Sequence, residues 1–158
     1  EMGRQAGCEV RLLGDALEGE ARDVAREQAA MALGVRAERP PGTPPVLLLS
    51  GGELTVTRRG NGVGGPNAEF SLALAIALAG APGIHAIACD TDAVDGAAEV
   101  PGAVVTPATL EKAKQAGIHP VSALAANDAH SFFGAIGDQV VTGPTLTNVN
   151  DFRAILIG

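Results

Sequence analysis

The chain of 158 residues has no tryptophan, no tyrosine and only four phenylalanines. Aliphatic side chains and alanine must therefore fill its core, and a hydrophobic fraction of 46% is sufficient for one. The formal net charge of −7 argues against the basic face that a nucleic-acid-binding protein needs. The longest apolar run, residues 72–79, is too short to span a bilayer. We therefore expect neither a nucleic-acid partner nor a membrane partner.

Cysteine and lysine are also rare. Cys8 and Cys89 lie far apart in apolar, strand-like segments, which favours buried free thiols in a reducing compartment over a disulfide. No secretion signal is visible, so we expect a cytoplasmic location. The only lysines, Lys112 and Lys114, fall in one predicted helix. No lysine can therefore lie in a glycine-rich loop, which excludes a Walker-type P-loop.

Apolar patterns predict strands that alternate with helices. Aliphatic segments predict strands at residues 9–13, 46–49, 84–89, 139–141 and 152–157. Helical spacing and helix-end signals predict helices at residues 19–35, 67–79, 107–117, 121–126 and 129–136. Gly51-Gly52 fits a two-residue hairpin turn into an antiparallel strand at residues 54–57. We therefore predict one α/β domain, residues 1–158, a layered structure in which helices flank a mixed β-sheet.

A polar, glycine-rich segment at residues 50–69 gives the strongest sign of a ligand site. Glycines occur at 60, 62, 64 and 65, as expected where backbone turns tightly or approaches another molecule closely. Arg58 and Arg59 enter this loop and the helix at residues 67–79 follows it, an arrangement that suits an anion such as phosphate. A glycine-rich hairpin tip with solvated arginines explains the same pattern.

Residues 60–65 also match the dinucleotide-binding pattern G-x-G-x-x-G. A dinucleotide loop directly follows a fully buried parallel strand, whereas here a half-polar segment and two arginines intervene. The context therefore disfavours a dinucleotide site.

Two further polar segments follow predicted strands or precede them. Asp90, Asp92 and Asp95 offer carboxylates for Mg²⁺, although their spacing excludes an EF-hand and an ordinary turn explains them equally well. Residues 142–151 are rich in threonine and asparagine, which bind ligands or stabilise irregular loops. If all three polar segments lie at one edge of the sheet, that edge is the expected site. The three histidines show no pairing typical of a catalytic base, so nucleophilic catalysis has little support.

Together these segments resemble the C-terminal (MOFRL) domain of the glycerate 2-kinase family, whose members also carry the name hydroxypyruvate reductase. Nearly the whole chain takes part, through ordered motifs at residues 14–21, 50–57, 64–69, 90–96, 127–128 and 142–151. Two residues depart from the family pattern. Pro66 stands where many members have arginine, and Ala93 where many have glycine. The first change leaves any phosphate contact to backbone groups and to the arginines at the loop entry.

The resemblance implies a kinase of two α/β domains, in which ATP, Mg²⁺ and D-glycerate meet in the cleft between them. This chain would form one wall of that cleft, its partner would be the N-terminal domain, and alone it would be inactive. Two alternatives stay open. One is an NAD(P)H-dependent hydroxypyruvate reductase, and the other is a non-catalytic domain that closes over its partner or forms a homodimer.

On this basis we predict catalytic roles for Asp92, Asp95 and Asp151, and metal binding by Asp90 and Asp92. The residues predicted to contact substrate or phosphate are Gly51, Gly52, Glu53, Arg58, Gly62, Gly64, Gly65, Asn67, Glu69, Thr147, Asn148 and Asn150.

Overall fold

The computed structural model describes residues 1–92, 95–96, 100–142 and 150–158. In these residues a mixed six-stranded sheet packs against a layer of helices, which confirms the predicted α/β class. The strands are β1 (Glu9–Gly14), β2 (Val46–Gly51), β3 (Ile84–Asp90), β4 (Gly102–Val105), β5 (Gln139–Val140) and β6 (Asp151–Ile157). The helices are α1 (Met2–Gln5), α2 (Ala21–Glu38), α3 (Pro66–Leu78), α4 (Thr109–Gln115), α5 (Pro120–Ala125) and α6 (Ala129–Ile136).

The strand order is β1-β2-β6-β3-β4-β5. β1 and β2 are parallel, and β6 lies between β2 and β3, antiparallel to both. β2 and β3 therefore run in the same direction. α2 links β1 to β2 and α3 links β2 to β3, as the long connections between parallel strands require.

The helices α2 and α3 form the centre of the helical layer, and they pack against each other. α2 buries a stripe of alanines, including Ala21, Ala25 and Ala29, because these residues recur at helical spacing. α3 is buried around most of its circumference. It ends at Ala79, which has a left-handed backbone, and Gly80 follows.

The predicted hairpin at Gly51-Gly52 is wrong. β1 and β6 already occupy both edges of β2, so no edge is free for a strand at residues 54–57. Gly52 has φ +107° and packs against the backbone of Leu17, which turns the chain away from the sheet. Only Thr55 forms a bridge, and it is parallel to Glu20. β4 and α1 were not predicted, because four residues are too few to show a period.

Described residues of the three polar segments lie at one edge of the sheet. Ser50 near the end of β2 pairs with Arg153 near the start of β6, and Asp90 at the end of β3 pairs with Asp151. The strand ends that carry the predicted site residues are therefore neighbours, and we call this part of the sheet the polar edge.

The two faces of the sheet differ in burial. Val46, Leu48, Ile84 and Ile155 face the helices and belong to the hydrophobic core. On the opposite face, alternate residues such as Leu47, Leu49, Phe152 and Leu156 are only half-buried or are exposed. Strands with one buried face normally carry polar residues on the other.

Cys8 and Cys89 are free thiols, as predicted, but each is only half-buried. None of the helices in the described ranges combines the length and the apolar character that a membrane-spanning helix requires.

Candidate functional site

The glycine loop packs against the chain's own turn at residues 126–128. A side chain at position 60 would collide with the carbonyl of Ala126, and one at position 62 would collide with Asp128. At position 64 it would come within 2.7 Å of the carbonyl oxygen of Asn127. The close backbone approach that the sequence predicts therefore occurs within the domain itself.

Hydrogen bonds tie the loop to the same turn. The Oδ1 atom of Asn127 accepts from the backbone N–H groups of Arg59 (2.6 Å) and Gly60 (2.8 Å). Asp128 Oδ1 accepts from the N–H of Val63 (2.8 Å), and the carbonyl of Ala126 accepts from Gly62 (2.9 Å). These four donors are satisfied inside the chain, so they are not free to hold a phosphate.

We expect Gly62→Ala to destabilise the domain by about 2 kcal/mol or more, because the new methyl group would overlap Asp128 and the backbone of Ala126. Gly34→Ala is the matched control: Gly34 lies in the exposed part of α2, with no atom within 4 Å of the added carbon. The control should stabilise by about 0.5–1 kcal/mol. Urea unfolding of both variants measures this, and equal effects would contradict the packing role of the loop.

A carboxylate of the domain itself occupies the N-terminus of α3. Asp95 accepts hydrogen bonds from the backbone N–H groups of Asn67 (2.9 Å) and Ala68 (2.8 Å). These are donors at the start of α3, where the helix dipole favours an anion. The predicted anion site at this helix end is thus filled by Asp95, which is 1% exposed and not part of a solvated turn.

Sequence reasoning found no partner for His130, and here the structure differs. His130 Nε2 lies 2.9 Å from Asp95 Oδ2, and both side chains are buried. The two residues are 35 positions apart, and packing of α6 beside α3 brings them together. No local pattern around His130 could have revealed the pair.

Glu69 is fully buried and cannot contact a substrate in this arrangement. It accepts from Arg22 Nε at 2.5 Å and from Asn127 Nδ2 at 3.0 Å. Arg22 also donates to the carbonyl of Leu124 at 2.7 Å. Glu69 therefore joins α2 and α3 to the turn that supports the glycine loop. Arg22 falls on the alanine stripe of α2, which was the available sign of its burial.

Asn67 connects the buried network to the polar edge. Its Nδ2 group donates to Asp151 Oδ1 at 2.7 Å and to Asp95 Oδ1 at 3.3 Å. Arg153 donates to Asp151 Oδ2 at 3.2 Å and to the carbonyl of Gly52 at 2.8 Å. Asp151 is thereby fixed from two sides. Arg153 was missed, although a charged residue on the inward face of an apolar strand is unusual.

A cleft of about 640 Å³ opens beside Asp151 at the polar edge. Its polar lining comes from Asp15, Ser50, Gly51, Thr91 and Asp151, and its apolar lining from β1, β2 and β6. Asp15 was not predicted as a site residue, although it directly follows the end of β1, a position like that of Asp90 at the end of β3. None of the lining residues in the described part of the chain carries a positive charge.

Two carboxyl groups at this edge, those of Asp90 and Asp151, have raised pKa values. Burial raises the pKa of Asp151 above its ordinary value, and the hydrogen bond from Asn67 and the charge of Arg153 only partly oppose this. Burial also raises the pKa of Asp90, against the hydrogen bond from the N–H of Asp92, while the charges of Asp92 and Asp151 act with burial. A carboxylate with a raised pKa is a better proton acceptor than a free one.

The fit of the predicted cofactors is uneven. Asp90 and Asp92 suit Mg²⁺, which typically takes one or two carboxylates together with water and phosphate oxygens. In the described ranges, no three acidic, thiol or imidazole side chains converge to hold a metal ion by themselves. The acidic cleft suits a hydroxyl group better than a triphosphate.

The remaining predicted residues occupy different positions. Glu53 and Arg58 are exposed, and Arg58 Nη2 donates to the carbonyl of Gly62 at 3.2 Å. Gly65 packs against the backbone of Asp95. Asn150 has φ +66°, and its carbonyl accepts from Thr91. Thr147 and Asn148 lie outside the described residues.

The chain was compared with models of known protein families. The model of the MOFRL family matches residues 46–151. The chain belongs to the MOFRL family. This family match includes the glycine loop, Asn67 and Asp151, and it confirms the resemblance seen in the sequence.

The chain is also similar to longer proteins. It is 54% identical over 155 residues to a protein of Agrobacterium vitis named "Putative hydroxypyruvate reductase". The alignment covers 97% of this chain and 35% of that protein. It is 35% identical over 156 residues to a Thermotoga maritima protein named "D-glycerate 2-kinase". This alignment covers 99% of this chain and 37% of that protein. The MOFRL chain thus spans just over a third of these relatives, in which it corresponds to a C-terminal domain.

Solved structures agree with this relation. The crystal structure of glycerate kinase from Thermotoga maritima matches with a TM-score of 0.94 and 34% identity, covering 99% of this chain and 38% of that one. A Pyrococcus horikoshii protein matches with a TM-score of 0.91 and 30% identity, covering 99% and 36%. The fold of the MOFRL domain is therefore that of the corresponding part of a glycerate kinase.

Proposed function

We propose that this domain forms one wall of the active site of a glycerate 2-kinase, which transfers the γ-phosphoryl group of ATP to D-glycerate. The observation that carries the proposal is Asp151, held by Asn67 and Arg153 at the edge of an acidic cleft. The relatives named as glycerate kinases supply the reaction class. Loops at strand ends are the usual place for such a site in α/β proteins.

Asp151 is the proposed proton acceptor. As the hydroxyl oxygen of glycerate attacks the γ-phosphorus, the bond to ADP breaks and the hydroxyl proton passes to a carboxylate oxygen. In the described residues, Asn67 donates to one oxygen of Asp151 and Arg153 donates to the other, which orients the carboxylate at the edge of the cleft. Asp15 and Thr91, which line the same cleft, would orient the hydroxyl groups of the substrate.

Mg²⁺, when bound, would supply positive charge that neutralises the phosphate groups during transfer. Asp90 and Asp92 are the residues of this chain that would hold it, directly or through water. The described cleft lining contains no cation, so further neutralisation must come from the other domain or from Arg58 and Arg59 at the glycine loop. This division makes the isolated domain unsuited to phosphoryl transfer.

The buried residues have a positioning role in this proposal. Asp95 fixes the start of α3, and Asn67 extends from that helix end to Asp151. Glu69 and Asn127 keep the glycine loop against the body of the domain. They support the site without contacting the substrate, which revises the contacts first predicted for Asn67 and Glu69 and the catalytic role of Asp95.

A reductase is the second candidate, because the relative with 54% identity carries the reductase name. The described residues do not form a dinucleotide-binding loop for it. The G-x-G-x-x-G pattern is engaged with the turn at residues 126–128 and does not follow a buried parallel strand. A dinucleotide site would have to lie in the other domain.

The test uses the longer polypeptide, assayed with ATP, Mg²⁺ and D-glycerate, beside this chain alone. We expect phosphoglycerate only from the longer polypeptide, and we expect Asp151→Asn to lower its kcat by about 100-fold or more. Asp138→Asn is the matched control, because Asp138 pairs with Lys112 away from the polar edge. The control should retain activity.

Three results would contradict the kinase proposal. They are phosphoglycerate formation by this chain alone at a comparable rate, equal losses in Asp151→Asn and Asp138→Asn, and oxidation of NADH by hydroxypyruvate without any kinase activity. The last result would establish the reductase instead.

A further inference from the structure

The face of the sheet opposite the helical layer is largely apolar, although His85 and Cys89 of β3 also lie on it. We call it the open face; its apolar residues include Val10, Leu12, Leu47, Leu49, Ile87, Phe152, Ala154 and Leu156. They are contiguous, because Val10 pairs with Leu47, Leu12 pairs with Leu49, and β6 lies directly beside β2. Leu12 is 74% exposed, Phe152 42% and Leu156 37%. A contiguous exposed patch of this kind marks an interaction surface.

α1 already lies on one part of the open face. A Cβ atom added to Gly3 would be 2.8 Å from Leu47 Cδ2 and 3.0 Å from Val10 Cγ2. The helix backbone is therefore in close contact with neighbouring strands β1 and β2 at this point. Glycine permits this approach because it has no side chain.

The end of α1 is a regular helix C-terminus. Gly7 has φ +82°, its N–H donates to the carbonyl of Arg4, and the N–H of Cys8 donates to Gly3. This is the Schellman arrangement that terminates helices. Since Gly3 lies over Val10 while Cys8 leads into the start of β1, α1 runs antiparallel to β1. Residues on its N-terminal side would therefore extend over Leu12 toward the polar edge.

Helix and strand dimensions set the register of such an extension. Val10 and Leu12 are two residues apart, about 7 Å along the strand. A helix rises about 1.5 Å per residue, so the position over Leu12 is about four to five residues before Gly3. That spacing is one helical turn, which places the contacting residues on the same side of the helix.

We propose that the open face is the docking surface of an amphipathic helix that continues α1 toward its N-terminus in the longer polypeptide. The relatives supply the occupant: the matching domain is 38% of the solved Thermotoga chain and corresponds to its C-terminal part. The preceding polypeptide there leads into α1. The proposal depends on this geometry and not on the reaction catalysed.

The docked helix covers the apolar side of the cleft and leaves its polar side accessible. Leu12, Leu49 and Phe152 line the cleft from the open face, whereas Asp15 and Asp151 line it from the polar edge. The helix thus converts a wide groove into a narrower polar site at the boundary between this domain and the rest of the polypeptide.

The experiment compares Leu12→Lys with Val121→Lys in this chain and in the longer polypeptide. Val121 is a matched exposed residue, 57% accessible, on α5. In this chain both variants should change the thermal midpoint by less than about 2 °C, because both positions are exposed. In the longer polypeptide Leu12→Lys should lower the midpoint of this domain by about 5 °C or more, and Val121→Lys should not. The readout is independent of catalysis, so it separates this proposal from the kinase.

A second measurement applies if Leu12→Lys does not fold. Cysteines at positions 12 and 121, introduced after Cys8 and Cys89 are replaced by alanine, are labelled with a thiol reagent. We expect Leu12→Cys to react at least about tenfold more slowly in the longer polypeptide, since protection reports the covered fraction. Val121→Cys should react equally in both.

Equal labelling of position 12 in the two polypeptides would overturn the proposal. The proposal would also be overturned if this chain forms a dimer that Leu12→Lys dissociates, while position 12 stays accessible in the longer polypeptide. That result would assign the open face to a second copy.

Discussion

Asp95→Ala is expected to lower the free energy of unfolding by about 3–4 kcal/mol, although the sequence placed Asp95 in a polar turn. The substitution removes the acceptor for two N–H groups at the start of α3 and leaves the buried Asn67 and His130 without this partner. A lost helix cap costs about 1 kcal/mol, and each buried donor left unpaired costs about 1–3 kcal/mol. Urea unfolding followed by circular dichroism measures the loss.

Two further variants complete this test. Asp92→Ala is the control from the same segment, and because Asp92 is exposed, it should change stability by no more than about 0.5 kcal/mol. Asp95→Asn keeps one acceptor oxygen, so its loss in the free energy of unfolding should lie between those of Asp95→Ala and Asp92→Ala. If Asp95→Ala and Asp92→Ala were equally mild, the helix cap described here would be wrong.

Arg22→Met is expected to destabilise the domain by about 3–5 kcal/mol, because it leaves the buried carboxylate of Glu69 without its cation. Glu69 is 0% exposed and has no access to water as a substitute partner. Asn127, which donates to the other oxygen of Glu69, should be displaced with it, and the glycine loop should loosen. Thermal unfolding, together with hydrogen exchange at Arg59 and Gly60, tests both parts.

The double variant Arg22→Met/Glu69→Leu separates the charge from the packing. It removes both charges, so it should recover part of the loss seen in Arg22→Met. Arg26→Met is the surface control, because the pair of Arg26 with Asp23 is exposed and worth little. A double variant no more stable than Arg22→Met would indicate that the pair does not act as a buried unit.

Elements with a clear period were predicted well from the sequence. The helix at residues 129–136 has the predicted bounds, and α3 differs from its prediction by one residue at each end. These features are local. The shared polar edge was only a condition of the site prediction, because strand order depends on the position of β6.

The errors concern partners that are distant in sequence. The hairpin at Gly51-Gly52 failed because β6, about 100 residues later, takes the edge of β2 that a hairpin would use. The pairing of His130 with Asp95 and of Arg22 with Glu69 depends on how helices pack, for which no spacing rule exists. The glycine loop was recognised as a close approach, but sequence could not identify the turn at residues 126–128 as the surface approached.

The central place of β6 affects the order in which the domain is made. β6 separates β1-β2 from β3-β4-β5, and it is the last strand in the chain. During synthesis, which proceeds at about 5–20 residues per second, the two halves of the sheet have no common strand until β6 leaves the ribosome. Until then β2 and β3 each expose an unpaired edge, which is a site for association with other chains. The domain therefore completes its sheet only after β6 has been translated.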